Sequence, residues 1–188
     1  MNEKMFYKTR LYVTAIVTIA IWTLLAWNYY HGGVPSHHIL AKKDLPSISN
    51  WWGGLLLPLL TWWLLYRIQK RVVRNNPEYS DSQQTQVIYG FVGALFYGIV
   101  LSVFFKFGYS DIPGYMLLGI FVLALFFPIY RSEYLLGFVI GMTYTFGAVL
   151  PTLIGSILAS IAAVLHLLIR PGIMYVASRA MRLISSKA

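Results

Sequence analysis

Six long apolar runs, none with an aspartate, glutamate, lysine or arginine well inside it, decide what this chain can become. Backbone amides and carbonyls placed in lipid must bond to one another, so a run of about 20 apolar residues resolves into a helix. A soluble domain carries about 25% charged residues. This chain carries 11%, with 58% hydrophobic residues and a mean hydropathy of +0.64. A soluble protein this apolar could not keep its surface wet.

The sequence therefore predicts an all-α polytopic membrane protein, a bundle of six transmembrane helices. The spans fall at about 11–30, 51–68, 87–105, 114–130, 134–150 and 152–169, and residues 1–172 make one transmembrane domain. The first run ends in Trp27-Asn28-Tyr29-Tyr30 and not in a small-residue cleavage site, so it reads as an uncleaved span. Pro58 lies inside the second span and predicts a kink. The sixth span is expected to stop at Arg170-Pro171-Gly172. Beyond it, residues 173–188 carry Met174, Ala177, Met181 and Ile184 at spacings of three to four, with Arg179, Arg182 and Lys187 elsewhere. That pattern predicts a C-terminal interfacial amphipathic helix.

Charge gives the orientation. Six spans put both termini on one side, together with twelve of the fifteen lysines and arginines. Only Lys42, Lys43 and Lys106 fall on the other. Cations favour the cytoplasmic side, so both termini are expected in the cytoplasm and the chain in a plasma (inner) membrane. The net charge of +9 is explained by this bias, and no nucleic-acid partner is expected. The chain has no cysteine, which excludes disulfides and thiolate chemistry.

Small residues mark where helices meet. Gly137 and Gly141 form a GxxxG pattern on the fifth span. Gly155, Ala159 and Ala163 continue such a line on the sixth, and Gly90, Gly93 and Gly98 lie on the third. Their expected use is packing within the bundle, with a homo-oligomer seam as the alternative. Thr14, Thr18, Thr143, Tyr144 and Thr145 are the polar clusters inside spans, and such hydroxyls ordinarily bond a carbonyl one turn back. His166 reads as an interfacial histidine bonded to a neighbouring helix or to water.

The connection from His31 to Trp52 gathers the chemistry-bearing residues. It holds three of the four histidines, an aspartate, serines, two glycines and two prolines, framed by Trp27, Tyr29, Tyr30, Trp51 and Trp52. His31, His37 and His38 are donors of the kind that hold zinc, iron or manganese, so a divalent metal is the expected cofactor if there is one. Ser36 and Asp44 are the candidate catalytic pair, with Asp44 as acid or base. The spacing H-x5-H-H-x5-D matches no established metal motif. A structural reading stands beside it. Ser36 can cap a short helix over residues 37–43, Asp44 before Leu45-Pro46 suits a turn, and Ser49 or Asn50 can cap the second span.

The expected function is a small multipass membrane protein whose outward-facing loop 31–50 forms a metal or lipid-headgroup site, in one version a membrane-embedded hydrolase. A non-enzymatic pore, facilitator or transporter for a neutral or hydrophobic solute is the alternative, and an assembly subunit of a membrane complex is the third. The expected partners are the bilayer and a lipid or small amphipathic ligand.

Overall fold

The computed structural model describes residues 3–38, 47–75, 81–109 and 111–185. Seven helices account for most of them: α1 (Glu3–Tyr30), α2 (Gly53–Asn75), α3 (Asp81–Lys106), α4 (Asp111–Phe126), α5 (Ser132–Phe146), α6 (Val149–Val164) and α7 (Arg170–Ser185). Between α1 and α2 lies a two-stranded antiparallel ribbon, β1 (Ser36–His38) and β2 (Ser47–Ser49). Ser36 sits opposite Ser49 and His38 opposite Ser47. A 3-10 turn over Asn50–Trp52 leads into α2, and a π turn over Leu165–Ile169 joins α6 to α7.

Among the described residues three helical stretches are long and apolar enough to cross a membrane: Glu3–Tyr30, Ser82–Lys106 and Val149–Val176. The expectation of six such helices holds only in part, for physical reasons. The second half of α2 carries Arg67, Lys70, Arg71 and Arg74, which shortens its apolar length. With 16 and 15 residues, α4 and α5 are about 24 Å and 22 Å long, less than a hydrocarbon core of about 30 Å. The surface agrees with a lipid environment. Large apolar side chains such as Ile16, Ile19, Phe96, Leu118 and Ile157 are more than half exposed, far more apolar surface than a soluble monomer shows.

Several boundaries differ from the sequence expectation. α4 ends at Phe126, short of residue 130, because Pro128 disfavours helical geometry in the residue before it. The helix expected to stop at Arg170-Pro171-Gly172 runs on into α7. The Arg170 amide bonds back to the Leu165 carbonyl, five residues earlier. Pro171 has no N–H to give, and the change of register just before it absorbs that loss. Residues 36–38 are strand, so Ser36 does not open a helix there. Ser49 does cap: its Oγ accepts from the Trp51 amide at 3.4 Å.

α2 runs antiparallel to both α1 and α5, whereas α3 and α5 run parallel, residues 91 and 95 facing 137 and 141. Near the start of α1, the buried Arg10 stacks its guanidinium 3.9 Å from the Trp62 ring centroid and donates to Gln69 at 3.2 Å. Trp62 lies near the middle of α2 and Gln69 in its second half. Arg71, near the end of α2, meets Glu133 in the first turn of α5. At the far end, the turn between α5 and α6 lies against the start of α2, where Gly53 faces Ala148.

The core is centred on α5. Leu136, Phe138, Val139, Met142 and Phe146 are all buried, and Val139 is fully enclosed. The GxxxG pattern faces α3. A Cβ added at Gly137 would meet the Phe91 carbonyl oxygen, and one at Gly141 would meet that of Leu95. Gly98 answers from α3, where an added Cβ would lie 2.8 Å from the Phe138 carbonyl oxygen. The two backbones thus touch along most of α5, which is the packing within the bundle that the small residues predicted.

Gly147 ends α5 with φ 71° and ψ 178°, a conformation that only glycine holds without strain. A side chain there would also strike the Asn50 amide. Gly147→Ala is expected to cost about 1–3 kcal/mol from the backbone alone. Thermal unfolding in detergent reads the loss. Adding Asn50→Ala should recover only the steric part, and a Gly147→Ala protein as stable as wild type would contradict the account.

Candidate functional site

The connection between α1 and α2 is less irregular than its glycines and prolines suggest. Gly32 and Gly33 both have positive φ and turn the chain out of α1. β1 then pairs back on β2, and the Asn50 amide donates to the Pro35 carbonyl at 3.1 Å. His31 is held locally. Its ring stacks on Trp27 at a centroid distance of 3.8 Å, and its Nδ1 donates to the Trp27 carbonyl at 2.9 Å. One ring nitrogen is therefore spent, leaving Nε2 for any ligand. Ser36 is exposed on β1. His37 and His38 follow it on the same strand, and their side chains lie outside the described structure, as does the whole of Asp44. Among the described residues no three histidine, aspartate or glutamate side chains come together as a metal would require.

His166 is also engaged. Nδ1 donates to the Ala124 carbonyl on α4 at 2.9 Å, so Nε2 is the acceptor for Arg170 Nη1 at 3.2 Å. The bond to a neighbouring helix expected of this histidine is thus present. Several hydroxyls within the helices follow the expected pattern, whereas Thr14 Oγ1 is buried with no partner among the described residues. Thr18 bonds the Thr14 carbonyl, Thr143 that of Val139 and Ser156 that of Thr152.

The concave feature of the molecule lies elsewhere, at the end of the bundle where the arginines collect. A cleft of about 570 Å³ is bounded by the first half of α3, the second half of α4, the start of α5 and α6. That volume is within the roughly 300–1,000 Å³ of ordinary ligand sites. Its floor is made of small residues, Gly90, Gly93 and Ala94 from α3 and Gly155, Ala159 and Ala162 from α6, with Ile120, Leu123, Leu135 and Phe138 as apolar walls. At Gly93 the missing side chain leaves open space, while Gly90 and Gly155 admit the side chains of Tyr134 and Leu135. At its inner end Tyr97 donates its hydroxyl to the Met116 carbonyl, tying α3 to α4.

The polar groups converge at one end of the cleft. Gln86, Arg131 and Glu133 line it there, and the same three line a smaller cavity of about 130 Å³ beside Arg71 and Gln83. Glu133 is 2% exposed. Its Oε1 accepts from Arg71 Nη2 at 2.9 Å, while Oε2 is buried with no hydrogen-bond partner among the described residues. Burying an ionised carboxylate is costly unless its oxygens are bonded, so half of this group is left in want of a donor. Comparison with family models, curated proteins and solved structures finds no match. The cleft and its polar end therefore rest on their own geometry.

Arg131, Ser132 and Glu133 fall between the fourth and fifth expected spans, with no motif to mark them. An acid in the first turn of a helix is ordinarily an exposed partner of the helix dipole. What buries this one is distant: Arg71, 62 residues away, and Gly90 on α3, whose missing side chain makes room for Glu133 and Tyr134. No local spacing reports such a meeting.

Proposed function

We propose that this chain is a six-span protein of the plasma membrane, both ends cytoplasmic, that binds a lipid-like amphiphile in the cleft between α3, α4, α5 and α6. The observation that carries the reading is a groove that is apolar and floored by small residues along its length yet ends in an arginine, a glutamine and a buried glutamate. A ligand with an apolar body and one polar end suits that division, as most small-molecule sites combine apolar walls with a few placed polar groups. The twelve-to-three division of lysines and arginines supports the orientation, which puts the polar end of the cleft at the cytoplasmic face. The short α5 is accommodated by burial within the bundle, and the more exposed α4 by local bilayer thinning. The ligand class is the one expected for loop 31–50. The site moves to the opposite end of the bundle because the described part of that loop is a paired ribbon with His31 engaged by Trp27.

Gly93 gives a clean test. It lines the cleft, and a Cβ added there meets nothing within 4 Å. Gly93→Phe projects a ring into the groove without a backbone clash, and it replaces glycine by a better helix former. Protein purified from membranes should carry endogenous lipid that survives into native mass spectra, and Gly93→Phe should lose most of it while unfolding no earlier than wild type. Equal lipid occupancy in the two proteins would overturn the reading.

A further inference from the structure

The polar end of the cleft specifies what the ligand's headgroup must carry. Two unmet demands meet there. Arg131 is half-buried, lines both cavities, and makes no side-chain hydrogen bond or ion pair among the described residues. α5 also begins at this residue without a side-chain cap, so the positive end of its dipole adds to the field. Both favour an anion. A few ångströms of chain away, Glu133 Oε2 is buried and lacks a donor, while its sister oxygen is held by Arg71. Glu133 lines both cavities, which brings its carboxylate to the polar end of the cleft. This favours a hydrogen-bond donor. Gln83 and Gln86 can serve either partner.

We infer that the polar end of the cleft recognises a phosphate next to a hydrogen-bond donor, the chemistry of a phospholipid headgroup ending in a primary amine or a hydroxyl, with the phosphate on Arg131 and the donor on Glu133. The alternatives fit less well. A purely cationic head would face Arg71 and Arg131 with one carboxylate to oppose them. A bare anion would leave Oε2 unpaired. A neutral head would leave Arg131 uncompensated. The inference rests on the cleft reading above and deepens it.

The test uses four single-chain probes with one acyl length, added to the full-length protein in dodecyl maltoside and read as apparent Kd by native mass spectrometry. Lysophosphatidylethanolamine and lysophosphatidylglycerol carry both groups, through an amine and through hydroxyls. Lysophosphatidylcholine has the phosphate but a trimethylammonium that cannot donate, and its glycerol hydroxyl is common to all three phosphate probes and so cancels in the comparison. Monoacylglycerol has hydroxyls and no phosphate. A charge-assisted hydrogen bond corresponds to roughly tenfold or more in affinity. The first two probes should therefore bind about tenfold tighter than lysophosphatidylcholine, and the stronger of them identifies amine or hydroxyl as the donor. Arg131→Gln should bring all three phosphate probes down to monoacylglycerol. Glu133→Gln should narrow the gap between the donor-bearing probes and lysophosphatidylcholine while leaving phosphate preference in place. Where Glu133→Gln does not fold, the paired variant Arg71→Met/Glu133→Leu removes both charges together and should abolish the same gap. Four probes binding alike, or Arg131→Gln binding as wild type, overturns the headgroup assignment. If Gly93→Phe still blocks the probes in that case, the cleft survives without the assignment; if Gly93→Phe changes nothing, the cleft reading falls with it.

Discussion

Replacing Gly141 with leucine is expected to keep α5 from docking on α3, so that the protein is not recovered as a monodisperse species after extraction. A Cβ at this position would meet the Leu95 carbonyl oxygen and lie 3.1 Å from the Ile99 amide nitrogen. Both obstacles are backbone of a regular helix, which has no rotamer to change. Overpacking a core costs about 1–3 kcal/mol when side chains can move aside. Here only a rigid separation of the two helices would relieve it, and that separation would forfeit the packing of Phe138 and Met142 with Leu101 as well. Gly137→Leu should behave in the same way, because its Cβ would meet the Phe91 carbonyl and lie 2.9 Å from the Leu95 amide. Alanine at either position should destabilise less than leucine, since only the first carbon has to be accommodated. Gly93→Ala is the control: with open space around it, it should hold or gain up to about 1 kcal/mol from helix propensity. Size-exclusion profiles and thermal unfolding in one detergent separate the three cases. A monodisperse Gly141→Leu protein with wild-type Tm would mean that α3 and α5 do not touch as described.

That contact was legible in the sequence, and the reason is instructive. Helix–helix packing in lipid depends on close approach, close approach depends on small residues, and small residues at a spacing of four are visible in the residue order itself. The apolar character was equally visible, since it depends on composition over windows as long as a helix. Other features had no such local signature. Pro128 and the run from Gly147 to Ala148 lie inside continuous apolar sequence, so the shortness of α4 and α5 is set by two backbone positions that hydropathy does not register. The histidine-rich connection attracted attention because reactive residue types are adjacent there in sequence. The described structure uses His31 and Ser49 as local fastenings, one on Trp27 and one as the cap before α2. The cleft is the opposite case. Its floor comes from α3 and α6 and its polar end from α2, α3 and α5, and nothing in any single stretch announces their convergence.

Glu133→Ala is the second substitution with a large expected effect, and it acts through what it leaves behind. Breaking a buried pair by removing one partner costs roughly 3–5 kcal/mol, because the remaining charge stays buried without compensation. Arg71 keeps 30% of its side chain exposed, so part of its charge can be solvated and the cost should fall below that range. Replacing both members is a different matter. A Met for Arg71 and a Leu for Glu133 fill similar space and bury no charge, and such exchanges are often neutral or stabilising. In a double-mutant cycle the pair variant should therefore be more stable than Glu133→Ala or Glu133→Leu alone. Salt discriminates further. An exposed ion pair weakens as ionic strength rises, whereas a pair with one member 2% exposed should change little. Two results would contradict this: single-variant losses that simply add in the double variant, or a stability of the wild type that falls steeply between low and high salt while the double variant does not. If the double variant is as stable as wild type, the bundle does not need these charges to hold together. The reason to bury a carboxylate with one oxygen unpartnered is then to be sought in the cleft that it lines.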